Sequence, residues 1–164
     1  MEHCIITEKF TLIPKHLYKP EYLGEMFTIA ENETVRSIML EKHDAVLSYA
    51  SPDNSPEEAV PLAYRLIKAA EMLNEHNKVV VSYLPEKKIS HIVAMEGEKL
   101  LLANTYRTCD TKTLLYFIEL VLQQVMFNPQ LTRIHIYGHM KQDETKLLEG
   151  YFCGVETIEG HIYV

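Results

Sequence analysis

Several kinds of segment are missing from this chain of 164 residues, and each absence removes a class of function. No apolar run approaches the roughly 20 residues that a helix needs to span a bilayer. The opening Met1-Glu2-His3-Cys4 has no basic stretch followed by an apolar one, so nothing in it reads as a secretory leader. Cysteine is scarce: Cys4, Cys109 and Cys153 are odd in number, widely spaced and outside any CxxC pair. That usage fits reduced thiols in the cytoplasm and argues against a disulfide framework. Positive charge is in the minority, with 16 Lys and Arg against 23 Asp and Glu and a net charge of −7. An acidic surface attracts neither nucleic acid nor anionic membrane, so neither is expected as a partner. Glycine-rich phosphate loops, a Ser nucleophile elbow and a Cys-His pair at catalytic spacing are absent too. No low-complexity segment or internal repeat stands out.

What remains is the composition of a globular protein, 47% hydrophobic and 24% charged, long enough for one domain or two small lobes. Residues 4–7 and 10–13 are short apolar stretches of strand type, the second ended by Pro14. Pro20 suits a first helical turn, and Tyr22, Leu23, Met26, Phe27 and Ala30 form a helical stripe interrupted by Gly24. Residues 35–40 and 45–49 predict a hairpin around Lys42-His43-Asp44. Residues 51–56 make the clearest break, and Ser55, Pro56 and Glu58 read as a capped helix start. Leu62, Leu66, Ile67, Ala70 and Leu73 supply its buried stripe up to Asn77. The expected division is therefore residues 1–77 as one lobe with a linking helix, and 78–164 as a second.

The second lobe is more sharply patterned. Strands are predicted over residues 79–83, 89–95 and 100–106, joined by short turns at 85–88 and 96–98, which makes an antiparallel meander. Asp110 caps a helix over residues 111–126, whose apolar positions, from Leu114 to Met126, cover more than half its circumference. A strand at 134–137, a helix at 143–151 and a strand at 155–158 complete a β-β-β-α-β-α-β series. That order is the unit of the ribonuclease H-like and actin-like ATPase folds, and it places the strand at 134–137 parallel to the first of the meander.

The segments Phe10-Thr11-Leu12-Ile13-Pro14 and Gly97-Glu98-Lys99-Leu100-Leu101-Leu102-Ala103-Asn104-Thr105 carry a resemblance. Thr113-Leu114-Leu115-Tyr116-Phe117-Ile118 and Ile136-Tyr137-Gly138 continue it. With them the chain resembles a family of Bacteroidetes proteins of unknown function that has the actin-like ATPase fold. The resemblance implies an α/β chain with a complete C-terminal lobe. Members of that family are usually longer, which implies a partial N-terminal lobe here and an unpaired sheet edge beside residues 35–49.

An actin-like fold holds ATP with a phosphate hairpin in each lobe, where an Asp positions Mg²⁺ and glycine lets backbone amides reach phosphate. The hairpin Ser82-Tyr83-Leu84-Pro85-Glu86-Lys87-Lys88 has neither Asp nor Gly, and Pro85 removes an amide donor. Lys87 and Lys88 are candidate phosphate contacts, with a solvated turn tip as the plainer reading. Gly138 is the candidate adenosine contact, but a second glycine is lacking and His139 would crowd a base. A two-metal nuclease needs clustered carboxylates. Glu119 and Asp143 stand near two of the positions, yet the first-strand carboxylate is missing, Glu86 lies beyond it in the turn, and Glu119 falls on the polar edge beside Gln123. His135 and His139 are candidate metal ligands, although in a strand they stand roughly 13 Å apart and His161 or Asp143 would have to complete the set. His43-Asp44 reads as a hairpin tip. The leading expectation is a cytoplasmic, non-catalytic scaffold or adaptor, without cofactor, acting on a protein partner or a second copy of itself. The alternatives are a nucleotide-binding module and a metal-dependent nuclease.

Overall fold

The computed structural model describes residues 3–163, so Met1 and Glu2, on which the leader reading partly rests, lie outside the described residues. Two compact units divide within one helix: one runs up to Tyr64 and takes in Tyr163, and the other is Arg65–Ile162.

In the first unit, β1 (Cys4–Ile5) pairs in parallel with a later strand, Cys4 opposite Val60 and Ile5 opposite Pro61. The remaining strands, β2 (Phe10–Pro14), β3 (Glu33–Leu40) and β4 (Ala45–Pro52), make an antiparallel sheet in the order β2-β4-β3. The hairpin expected around Lys42-His43-Asp44 is present. Ala45–Tyr49, however, lies in the central strand and is paired on both sides, so the open edges among the described residues are β2 and β3. The stripe beginning at Tyr22 does not make an α-helix. Residues Pro20–Glu25 form a 3₁₀-helix, and Tyr22 and Met26 are exposed, so no apolar face is buried there to sustain a longer helix.

The next two elements correct the predicted helix start. Val60–Pro61 is the short strand β5, and α1 runs over Leu62–Glu71. A helix begun at Pro56 would have carried Pro61 in its interior, where proline gives up an i→i−4 bond and clashes with the preceding turn. After Pro61 the chain meets no such obstacle, and Leu62, Leu66, Ile67 and Ala70 are all fully buried.

The second unit is a five-stranded mixed sheet in the order β10-β9-β6-β7-β8. Its elements follow the predicted series: β6 (Asn77–Leu84), β7 (Ile89–Glu96), β8 (Lys99–Arg107), α2 (Thr111–Gln124), β9 (Arg133–Tyr137), α3 (Gln142–Glu149) and β10 (Gly154–Ile158). β6, β7 and β8 form the meander, and β9 pairs in parallel with β6, Val79 opposite Ile134. β6 and β7 are buried along nearly their whole length, as β-branched strands with a neighbour on each side should be. Among the described residues β8 pairs with β7 alone, and it is half-buried.

One face of this sheet, with Val79, Val81, Ile92, Ala94, Ile134 and Ile136, packs with Leu114, Ile118, Val121 and Leu122 of α2 in a single core. Each such side chain withdrawn from water contributes about 1.5–3 kcal/mol. α2 ends two residues before the predicted Met126. Val125 caps it, Met126 takes a left-handed φ of 62°, and Phe127 N donates to Leu122 O at 2.8 Å while Met126 N donates to Gln123 O at 3.3 Å. This pair of bonds is the Schellman arrangement. It throws Met126 out to 91% exposure and buries Phe127 instead.

Both long hairpins turn in the same way. In one, the 3₁₀ turn Glu41–His43 is followed by Asp44 at φ 47°; in the other, Pro85–Lys87 is followed by Lys88 at φ 57°. Each left-handed residue offers its carbonyl to the amide just after the strand that flanks its hairpin's second strand, Asp44 to Lys15 at 2.8 Å and Lys88 to Thr108 at 3.0 Å. No described helix is long and apolar enough to cross a membrane.

Candidate functional site

Strand order reverses between β6 and β9 of the second unit, and in open α/β sheets ligands enter the crevice beyond the carboxyl ends of the strands at such a point. Four segments meet there: the β6–β7 turn, the start of α2, the residues after β9 and the start of α3. The turn presents Glu86, Lys87 and Lys88 to solvent. Its inward backbone groups are committed. Pro85 has no N–H, the Lys88 amide donates to Pro85 O at 3.0 Å, and the Lys88 carbonyl is held by Thr108. Thr108 is fixed in turn by a 2.7 Å bond between its hydroxyl and that of Ser90, both buried.

Gly138 follows β9 with φ +143°, and a Cβ added to it would meet Tyr83 O at 2.5 Å. The backbone after β9 therefore lies directly on the end of β6. Glycine serves close packing here, since no other residue leaves that space. The Gly138 amide points to Ile158 O at 3.4 Å.

Beside this contact runs a chain of polar side chains. Thr111, the first residue of α2, donates its hydroxyl proton to Glu144 Oε2 in a short hydrogen bond. Tyr83 shares a hydrogen bond with the Thr111 side chain. Burial pushes the Tyr83 phenol above its ordinary value; Glu144 and Asp110 push it the same way, and the Thr111 bond acts against them. Glu144 Oε1 also accepts from the Lys141 amide at 3.2 Å, which caps α3. Asp110 caps α2, accepting from Thr113 N at 2.7 Å, and that backbone bond holds its carboxyl below the usual range. The crevice thus contains Tyr83, Thr111 and Glu144 bound to one another, with both helix starts capped from within the chain.

The structure separates the residues singled out as metal ligands. Glu119 and Asp143 are both exposed, Glu119 on the outer side of α2. His139 is exposed and faces Glu159 at 3.6 Å. His135 is 4% exposed in the middle of β9, with Nε2 at 2.7 and 2.9 Å from the two oxygens of Glu75 and Nδ1 at 3.2 Å from Glu156. The side chain of His161 lies outside what the structure describes. Among the described residues no group of three His, Cys, Asp or Glu is arranged to hold a metal ion.

Sequence reasoning passed over Glu144, Thr111, Tyr83 and Glu75. For Glu144 a signal was available, because it stands three residues after the cap position Lys141 and so reaches back to it, whereas Asp143 points outward. Nothing local marks Glu75, whose partner is 60 residues away.

Comparison with known proteins agrees with this architecture. Residues 57–152, more than half of the chain, match the family described as "Protein of unknown function (DUF3822)". Among solved structures, a protein from Bacteroides thetaiotaomicron described as having an actin-like ATPase fold and unknown function superposes with a TM-score of 0.80 at 24% identity. The match covers 94% of this chain and 66% of that one, so the chain spans just under two thirds of its neighbour's length. The search of curated proteins finds no match. The expected family resemblance and the actin-like α/β fold are both borne out.

Proposed function

The chain belongs to the family described as Protein of unknown function (DUF3822), and from that premise we propose that it is a non-catalytic scaffold or adaptor. It keeps the shape of an actin-like ATPase and has lost the means of holding nucleotide. The observation that carries this reading is the contact of Gly138 with Tyr83 O together with the Tyr83-Thr111-Glu144 chain. Groups that would have to meet phosphate and base are spent on one another. A nucleotide would have to displace a buried phenol and break its bond with Thr111, at about 1–3 kcal/mol per orphaned group. Lys87 and Lys88 stand outside this network on the turn, where their charges are solvated.

Titration calorimetry with Mg-ATP tests the proposal directly. It should give no saturable heat below roughly millimolar ligand, where binding corresponds to about 4 kcal/mol. A micromolar dissociation constant would overturn it in favour of a nucleotide-binding module.

Acting as a scaffold requires a partner, and the partner proposed is a protein or a second copy of this chain. The support is the open backbone of β2 and β3 at the margins of their sheet, with Met39 of β3 42% exposed. Unpaired strand edges recruit further strands. Light scattering at micromolar concentration should report a species larger than the 19.0 kDa monomer. A cytoplasmic location belongs to the same proposal and is supported by Cys4, Cys109 and Cys153, none of which is joined in a disulfide among the described residues.

A further inference from the structure

A depression of about 410 Å³ opens at the amino ends of β6 and β9, the opposite end of these strands from the turn at residues 85–88. Glu75, His76, Asn77, Leu131, Arg133 and Cys153 line it. The size lies within the about 300–1,000 Å³ typical of small-molecule sites. Charges around it are unevenly committed. Both oxygens of Glu75 are turned to His135, and His76 faces Glu96 at 3.8 Å. The Arg133 guanidinium, by contrast, makes no hydrogen bond or ion pair with any described residue, and neither does the side-chain amide of Asn77. Arg133 lies along β10 over Gly154, where an added Cβ would stand 3.4 Å from Nε and 3.8 Å from Cγ. Glycine at this position lets the guanidinium lie flat at the mouth. Leu131, 72% exposed, and Cys153 supply an apolar wall beside it.

We infer that this depression binds a small carboxylate with an apolar body. A guanidinium matches a carboxylate with two parallel hydrogen bonds, Asn77 offers a further donor, and the Leu131 wall shields an alkyl or aryl portion. The nearby carboxylates of Glu75, Glu96 and Glu156 repel a multiply charged anion, so a phosphate ester is disfavoured and a single negative charge is accepted.

Hexanoate is a suitable probe, titrated into the ¹⁵N-labelled full chain. Saturable shifts should appear at Glu75, His76, Asn77, Arg133 and Cys153. Hexanol should bind at least about tenfold more weakly, and inorganic phosphate should leave these signals in place. Arg133→Met should weaken hexanoate by about tenfold or more, while Arg133→Lys keeps part of the affinity. Arg133 is exposed, so an unchanged spectrum elsewhere verifies that both variants are folded. Absence of saturable shifts, equal binding of hexanol, or full affinity in Arg133→Met would each overturn the inference.

Discussion

The carbonyl oxygen of Tyr83 lies 2.5 Å from where a side chain on Gly138 would begin. That single distance joins the ends of β6 and β9 across the point where strand order reverses. Gly138→Ala should therefore be strongly destabilising, because the obstacle is backbone and φ is already in a region that suits only glycine. We expect a loss of about 2 kcal/mol or more, read as a lower urea midpoint. Gly150→Ala is the control: its added Cβ meets Leu147 O at an ordinary 3.5 Å, and little change is expected.

The polar chain beside that contact predicts a coupling. Thr111→Val keeps the shape of the side chain but leaves Tyr83 without its Thr111 partner and Glu144 without its donor. The expected cost is about 1–2 kcal/mol in denaturant unfolding. Thr111→Val and Glu144→Ala together should cost less than the two changes summed, because they remove one shared bond. Strict additivity would mean that the two residues act independently.

Acid should loosen the start of α2. The Asp110 carboxyl is lowered from its ordinary 3.8, chiefly by its bond from the Thr113 amide. A lowered carboxyl contributes stability that is present above the unfolded value and is lost as pH falls through the folded one. From about pH 5 to about pH 2 the wild type should lose this contribution. Asp110→Asn keeps a capping oxygen without the charge, so its stability should decline less over the same range. Parallel curves for the two proteins would count against the cap as the cause.

Met126 holds a left-handed conformation that costs most side chains about 1–2 kcal/mol, and it is 91% exposed. Met126→Gly should relieve that cost, raising stability by about 0.5–1 kcal/mol after the greater freedom of glycine in the unfolded chain is counted. Thermal unfolding of the two proteins checks it. A fall in stability would show that the exposed methionine makes contacts worth more than its strain.

The topology of the second unit was legible because each of its signals is local. Short β-branched apolar runs mark β6 and β7, the turn at Gly97 needs a positive φ of 58°, and Asp110 sits one residue before the helix it caps. The start of α1 was misplaced because Ser55, Pro56 and Glu58 imitate a helix start. The competing use of Val60–Pro61, pairing with Cys4–Ile5, depends on residues far away in the chain. The common construction of the two hairpin tips was also hidden. Glu41-Lys42-His43-Asp44 and Pro85-Glu86-Lys87-Lys88 share a backbone path and almost no residues.

By itself the sequence determined the order of elements, the hydrophobic faces and the lack of a glycine-rich phosphate loop, since periodicity and turn chemistry act over a few residues. Only the tertiary structure decided which polar groups meet. Asp143 and Glu144 are adjacent and chemically alike, and helix geometry turns one to solvent and the other to Thr111 and Lys141. Gly138 looked like space for a ligand until the strand pairing of β6 with β9 filled that space with the carbonyl of Tyr83.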